Sequence, residues 1–188
     1  MNSLIFIITG LPGHGKTTLA ATLACAFDLK MGSTSDPIFQ LLAQRLASNT
    51  GMGLDEAEQI LRTANKEILR PTLVRYGNQM VLGDPSALVQ MLIARDCRII
   101  DGVRRKQELN EALKYIVEQG FTPVVIWVQR MPPPERIHDN TEVCGLDADH
   151  VVTNDFPTAV DFCNWVYANS GAITLPRRSD ELAPVPQA

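Results

Sequence analysis

The sequence predicts an α/β fold, a five-stranded parallel sheet with helices on both faces. Three observations lead there. Short apolar, β-branched runs alternate along the chain with stretches of helical periodicity. The first run, Leu4-Ile5-Phe6-Ile7-Ile8, has no polar side, as expected of a strand covered by helices above and below. A glycine-rich turn, Gly10-Leu11-Pro12-Gly13-His14-Gly15-Lys16-Thr17, follows it directly and opens into an Ala/Leu-rich helix.

The elements can be taken in order. After the first strand and its turn, Thr17 to Phe27 reads as a helix, and Leu29-Lys30-Met31 as a short second strand. Asp36 before Pro37 has the signature of a helix N-cap followed by first-turn proline, predicting a helix to about Ser48. Leu54, Ala57, Leu61, Ala64 and Ile68 recur at helical spacing until Pro71, which is expected to break or restart the helix before a short one running to Val81. Gly83-Asp84-Pro85 stops the chain and caps a helix from Ser86 to Arg95. Arg98 to Asp101 is a strand ending in a carboxylate. Leu109, Ala112, Leu113, Ile116 and Val117 mark a helix ended by Gly120. Pro123 to Val128 is the fourth strand, with Trp127 read as core. His150 to Thr153 is the fifth, and Pro157 to Ala168 a closing helix. The 188 residues suit one domain, residues 1–175, followed by a proline-containing tail, 176–188, expected to be disordered.

Composition excludes several classes. No run of 18 apolar residues exists, so no membrane-spanning helix is expected. The N-terminal apolar run lacks a basic leader and is too short for a signal peptide. Cys25, Cys97, Cys144 and Cys163 are scattered and read as reduced thiols of a cytoplasmic protein. Charge is uneven. Arg62 to Lys106 holds nine basic and four acidic residues, a net of +5, whereas Glu135 onward carries −6. Such a basic middle suits an anionic ligand, and equally a solvated helix surface.

The turn Gly10 to Thr17 is G-x-x-x-x-G-K-T in the strand-to-helix context that motif requires, which specifies a P-loop nucleoside-triphosphate fold. Gly10, Gly13 and Gly15 let backbone N–H groups turn toward an anion, and the helix N-terminus adds partial positive charge. Lys16 is placed to reach the β- and γ-phosphates of ATP, and Thr17 to ligate Mg²⁺. His14 and Thr18 lie within or beside the loop as candidate nucleotide contacts. The plainer expectation is an exposed His14 and a capping or packing Thr18.

Asp101-Gly102-Val103-Arg104-Arg105 is the second signal. An acid ending a strand near a phosphate loop can orient Mg²⁺ or accept the proton of an attacking hydroxyl. Arg104 and Arg105 can grip phosphate bidentately. Asp36 reads either as a cap or as a general base. Arg70 and Arg75, near Tyr76 and Asn78, read either as surface residues or as substrate contacts. Arg130 and Arg136 follow the fourth strand, where a lid would sit, although the segment is short for one.

The phosphate loop, the Asp101 turn and the five-strand layout resemble nucleoside monophosphate kinases. Asp-Gly followed by arginine resembles the adenylate kinase pattern. Arg70, Leu73 and Gly77, then Asp101, Arg104 and Glu108, then Asp149 to Asn154, are similar to phage deoxynucleoside monophosphate kinases. Gly83 to Val89 and Ile100 to Arg105 resemble most closely the phage 5-hydroxymethyluridine DNA kinases of the thymidylate-kinase-like group. That resemblance implies ATP-dependent phosphorylation of the 5-hydroxymethyl group of hydroxymethyluracil in phage DNA. This is a step in thymidine hypermodification that evades host restriction in the host cytoplasm. It further implies ATP and Mg²⁺ at Gly10 to Thr17, Asp101 as the acid, and Arg104 and Arg105 on phosphate. Two other readings stand beside it: a kinase making diphosphates from free deoxynucleoside monophosphates, and a P-loop ATPase or nucleotide-gated binding module.

Overall fold

Leu4–Gly10 forms β1, the middle strand of the sheet, and its alternating side chains divide the core in two. Ile5 and Ile7 point to one face and Phe6 and Ile8 to the other, all four fully buried. The computed structural model describes residues 4–64, 66–130 and 141–173. After β1 come α1 (Lys16–Phe27), β2 (Met31–Ser33), α2 (Asp36–Thr50), α3 (Leu54–Thr63) and α4 (Lys66–Val81). Then follow α5 (Ala87–Ile93), β3 (Ile99–Asp101), α6 (Lys106–Glu118), β4 (Thr122–Arg130), a 3₁₀ turn (Gly145–Asp147), β5 (His150–Asn154) and α7 (Ala159–Ile173).

The five strands are parallel, in the order β2-β3-β1-β4-β5. From β1 the chain moves out to β2, returns to β3, and then crosses to β4 on the far side of β1. Loops at the carboxyl ends of these strands therefore diverge around β1, where such sheets bind ligands. Register aligns Ile8, Asp101 and Ser33 on one line across three strands, so Asp101 emerges beside the phosphate loop.

On one face Ile5, Ile7, Ile100, Val125 and Trp127 pack with Val89 and Leu92 of α5 and Leu109, Ala112 and Ile116 of α6. On the other, Phe6, Ile8, Ile99, Val124, Ile126 and Val128 pack with Leu19, Ala20 and Leu23 of α1 and Phe162 and Val166 of α7. Phe6 stacks on Phe27 with ring centroids 6.2 Å apart. The predicted architecture is thus present, with Trp127 in the core.

Several boundaries differ from expectation. The second strand is Met31–Ser33, because Asp28 takes a left-handed turn (φ 52°) and Leu29 drops into the core before the strand begins. Ser35 occupies the N-cap position of α2 without a side-chain capping bond, and Asp36 is the first helical residue. Pro71 does not break the chain. It lies inside α4, and the interruption falls upstream, between Thr63 and Lys66. A proline there forfeits one backbone bond near the helix start. The loss is offset by packing of Leu73, Tyr76 and Met80 against Ile38, Val81 and Leu88. The closing helix α7 runs five residues past Ala168, to Ile173. The expected tail and Arg136 lie outside the described residues. Among the described residues no helix is long and apolar enough to cross a membrane.

Phe6 supports one core cluster at the centre of the sheet, so Phe6→Ala should cost about 3–5 kcal/mol. Urea denaturation measures this, and a loss below about 1 kcal/mol would contradict the two-faced core.

Candidate functional site: a phosphate loop beside an arginine-lined cavity

The loop between β1 and α1 is shaped by glycines in left-handed backbone regions, with φ 140° at Gly10, 76° at Gly13 and 96° at Gly15. At Gly10 a Cβ would lie 2.3 Å from the Val128 carbonyl oxygen, so only glycine lets β1 run this close to β4. Because α1 starts at Lys16, its first-turn N–H groups belong to the loop. Lys16 Nζ donates to the Leu11 carbonyl at 2.9 Å, which folds the ammonium back over its own loop. Thr17 Oγ1 donates to Asp101 Oδ2 at 2.7 Å, joining the loop to the end of β3.

Asp101 is 5% exposed. Burial raises its carboxyl above the ordinary carboxylate value, opposed by the Thr17 hydrogen bond and by the charges of Lys16 and Arg104. Its Oδ1 is buried and finds no hydrogen-bond partner among the described residues. The turn after it is fixed by Gly102 at φ 102°, where a Cβ would meet Thr34 Oγ1 at 2.8 Å. The Thr34 amide donates to the Asp101 carbonyl at 2.9 Å and the Thr34 hydroxyl to the Gly102 carbonyl at 3.1 Å. The acid is therefore held by its backbone, while one carboxylate oxygen stays uncommitted.

A cavity of about 700 Å³ opens from Lys16, Thr17 and Asp101. Its far wall is one face of α4: Arg70, Leu73, Val74, Gly77 and Asn78, spaced three, four, seven and eight residues from the first. Ile38 and Phe39 of α2 and Leu88 of α5 add apolar surface, and Arg104, Arg105 and Glu108 close the side after β3. Arg105 Nη2 donates to Asn78 Oδ1 at 2.7 Å. Glu108 Oε2 accepts the Arg104 and Arg105 amides at 3.3 and 3.2 Å, which fixes the turn that aims both arginines. Apolar walls with a few convergent cations suit a ligand that has both a ring and an anionic group.

Most residues singled out in the sequence meet here. Lys16, Thr17, Asp101, Arg70, Arg104 and Arg105 all line the cavity, and Gly10, Gly13 and Gly15 shape the loop. Four do not line it. Asp36 accepts the Ser33 amide at 2.6 Å and an Arg62 N–H at 3.0 Å, so its carboxylate serves a turn and an ion pair. Arg75 falls off the cavity-facing side of α4, and the adjacent Tyr76 takes a hydrogen bond from Arg45 at 2.6 Å. Thr18 contributes a carbonyl that accepts the Thr22 hydroxyl at 2.8 Å, inside α1.

His14 is not exposed as expected. It is 3% exposed, and its ring turns into the end of β4. Nδ1 lies 3.3 Å from the Val128 carbonyl and 3.2 Å from the Arg130 amide. One tautomer can donate to the first, and the other can accept from the second. Burial lowers its pKa most; the Val128 bond opposes this, and Lys16 and Arg130 add to it.

Ser33, Thr34 and Ser35 line the cavity and were not found from the sequence. The available signal was a polar Ser-Thr-Ser run directly after a short apolar segment, at the strand end where ligands bind.

The phosphate loop after the central strand of this parallel sheet, with an acid ending the neighbouring strand, defines a P-loop α/β fold of the nucleotide-kinase kind. No protein-family model matches the chain, and no curated protein matches it in sequence. Among solved structures, the chain is similar to the APS kinase of Mycobacterium tuberculosis in complex with AMPPNP and APS. The two share 15% identity at a TM-score of 0.44, over 90% of this chain and 98% of that one. It is also similar to a sugar kinase from Janibacter sp., at 14% identity and a TM-score of 0.41, over 93% of this chain and 96% of that one.

His14 yields a pH prediction. A lowered folded-state pKa means the unfolded chain binds the proton more readily, so its contribution is complete above about pH 6.5 and is lost as pH falls below it. Wild type should lose stability relative to His14→Gln between pH 7 and pH 5 in matched urea titrations. Parallel curves would contradict the buried neutral imidazole.

Proposed function

We propose that the chain transfers the γ-phosphoryl group of ATP to a hydroxyl of a nucleotide-class acceptor seated in the cavity. The acceptor we favour is the 5-hydroxymethyl group of hydroxymethyluracil in DNA. The observation that carries the reading is the shared cavity. Lys16 and Thr17 of the phosphate loop, the half-engaged Asp101 carboxylate and a wall of apolar and arginine side chains line the same 700 Å³.

Mg²⁺ fits the residues present. The Thr17 hydroxyl and the Asp101 carboxylate are already adjacent, and Asp101 Oδ1 is a buried oxygen without a partner among the described residues. Thr17 and Asp101 would hold the ion, with the nucleotide's own oxygens completing its shell; it would neutralise charge on the phosphates. In the transfer, the acceptor oxygen bonds to the γ-phosphorus, the bond to the β,γ-bridging oxygen breaks, and ADP leaves. The hydroxyl proton passes to Asp101 Oδ2, the oxygen left to the acceptor if Oδ1 holds the ion. Lys16 leaves the Leu11 carbonyl to neutralise the γ-phosphate, and Arg104 and Arg105 take charge building on the transferred group. Positioning and charge provide most of the rate.

Two features support a base within DNA as acceptor. Ile38, Phe39, Leu73, Val74 and Leu88 offer apolar surface against which a base could pack. Arg70 and Arg104 are exposed on side chains lining the cavity, where strand phosphates would meet them if the base turned out of the stack. The family resemblance read in the motifs points the same way. The pairing of Arg105 with Asn78 inside the cavity favours a second reading, a free deoxynucleoside monophosphate whose phosphate Arg105 would hold.

Radiolabelled γ-ATP offered with hydroxymethyluracil duplex, thymine duplex and a panel of deoxynucleoside monophosphates separates these. Label is expected on the modified duplex alone. Label on monophosphates favours the second reading, and phosphate release with no labelled acceptor makes the chain an ATPase. Lys16→Ala should leave less than a tenth of the transfer. Asp101→Asn should lower kcat by about 100-fold or more, a larger loss than its loss of nucleotide affinity. An unchanged kcat removes Asp101 from the chemistry.

A further inference from the structure

We infer that Asn154, the last residue of β5, is a positioning residue for the phosphate loop and sets nucleotide affinity without touching the nucleotide. The inference rests on the reading of Gly10 to Thr17 as a phosphate site and is independent of which acceptor the cavity takes.

Asn154 is 8% exposed, and its Nδ2 donates to the His14 carbonyl at 3.0 Å. A trans peptide is planar, with its C=O and N–H pointing in opposite directions. Holding the His14 carbonyl toward β5 therefore turns the Gly15 N–H the other way, to the side of the loop where a phosphate would be held. Gly15 is in the left-handed region, at φ 96°, and has no side chain to resist rotation of that peptide. The Asn154 amide supplies the missing restraint. It also fills the space a side chain would need, since a Cβ on Gly15 would lie 2.5 Å from Asn154 Nδ2 and 3.3 Å from the Phe162 ring.

A second grip acts on the same residue. His14 Nδ1 lies 3.2 Å from the Arg130 amide, and Arg130 is the cross-strand partner of Asn154 in the β4–β5 ladder. One rung of the sheet thus holds residue 14 by its main chain from β5 and by its side chain from β4. This gives β5 a role in the site although none of its residues lines the cavity. A loop held in its binding shape before the anion arrives loses less freedom on binding, which appears as affinity.

The test is Asn154→Leu, which keeps the side chain's branched shape and removes the donor, with Asn154→Ala beside it. Thermal melting and titration with Mg-AMPPNP are measured on each. The expected result is a melting temperature near that of wild type for the leucine variant and affinity at least tenfold weaker for both. Affinity within twofold of wild type for a folded leucine variant overturns the assignment. If neither variant folds, wild type carries the test by nuclear magnetic resonance. The Gly15 amide should move downfield when pyrophosphate is added, and a Gly15 amide that stays put while Gly13 and Lys16 shift overturns it. Wild-type protein without affinity for Mg-AMPPNP would instead sink the phosphate-site reading on which this inference stands.

Discussion

A strip of backbone bent through three left-handed glycines, Gly10, Gly13 and Gly15, governs the architecture of this protein. Backbone held in such a shape has no secondary-structure partner of its own, so it must be restrained by its surroundings. Gly10 removes the side chain that would separate β1 from β4, Gly15 removes the one that would strike Asn154 and Phe162, and α1 begins as soon as the turn is complete. The apolar β1 beneath it is fully buried from Ile5 to Ile8 and gives that strip a rigid base.

The chemistry follows from what the sheet sets beside the loop. β3 is only three residues long, yet its register delivers Asp101 to within 2.7 Å of the Thr17 hydroxyl. Burial makes the Asp101 charge costly, and the ammonium, the guanidinium and the hydroxyl around it reduce that cost. A divalent cation or a transferred proton would act on the same balance. Thr34 binds the backbone on both sides of the Asp101–Gly102 peptide, so the acid keeps its place while its second oxygen faces no protein partner among the described residues.

Basic charge that looks diffuse along the sequence is sorted by the fold. Arg62 is drawn to Asp36 and Glu58 and lies over the Phe39 ring. Arg98 covers Phe121 at the opposite end of β3. Among the described side chains of that group, Arg70, Arg104 and Arg105 line the cavity. The net charge of the stretch is thus a poor guide to its function. At least three of its cations line the cavity, and at least two others pack on helix and strand surfaces.

The sequence by itself determined the strand–helix alternation, the phosphate loop and the Asp101 turn. Each is written in a contiguous run whose residues act on their immediate neighbours: apolar runs make buried strands, and glycines beside a helix start make an anion site. Tertiary structure alone decided which residues meet that loop. Pro71 marked a break in the sequence, but packing carried α4 through it and so placed Arg70, Leu73, Val74, Gly77 and Asn78 on one wall. Asp36 and Arg75 carried the same local signals as the residues that line the cavity and were turned elsewhere by an ion pair and by helical phase. The reach from Thr17 to Asp101 spans 84 positions, and that from Asn154 to His14 spans 140. Bonds across such separations depend on strand order and register, which emerge only when the two core faces pack.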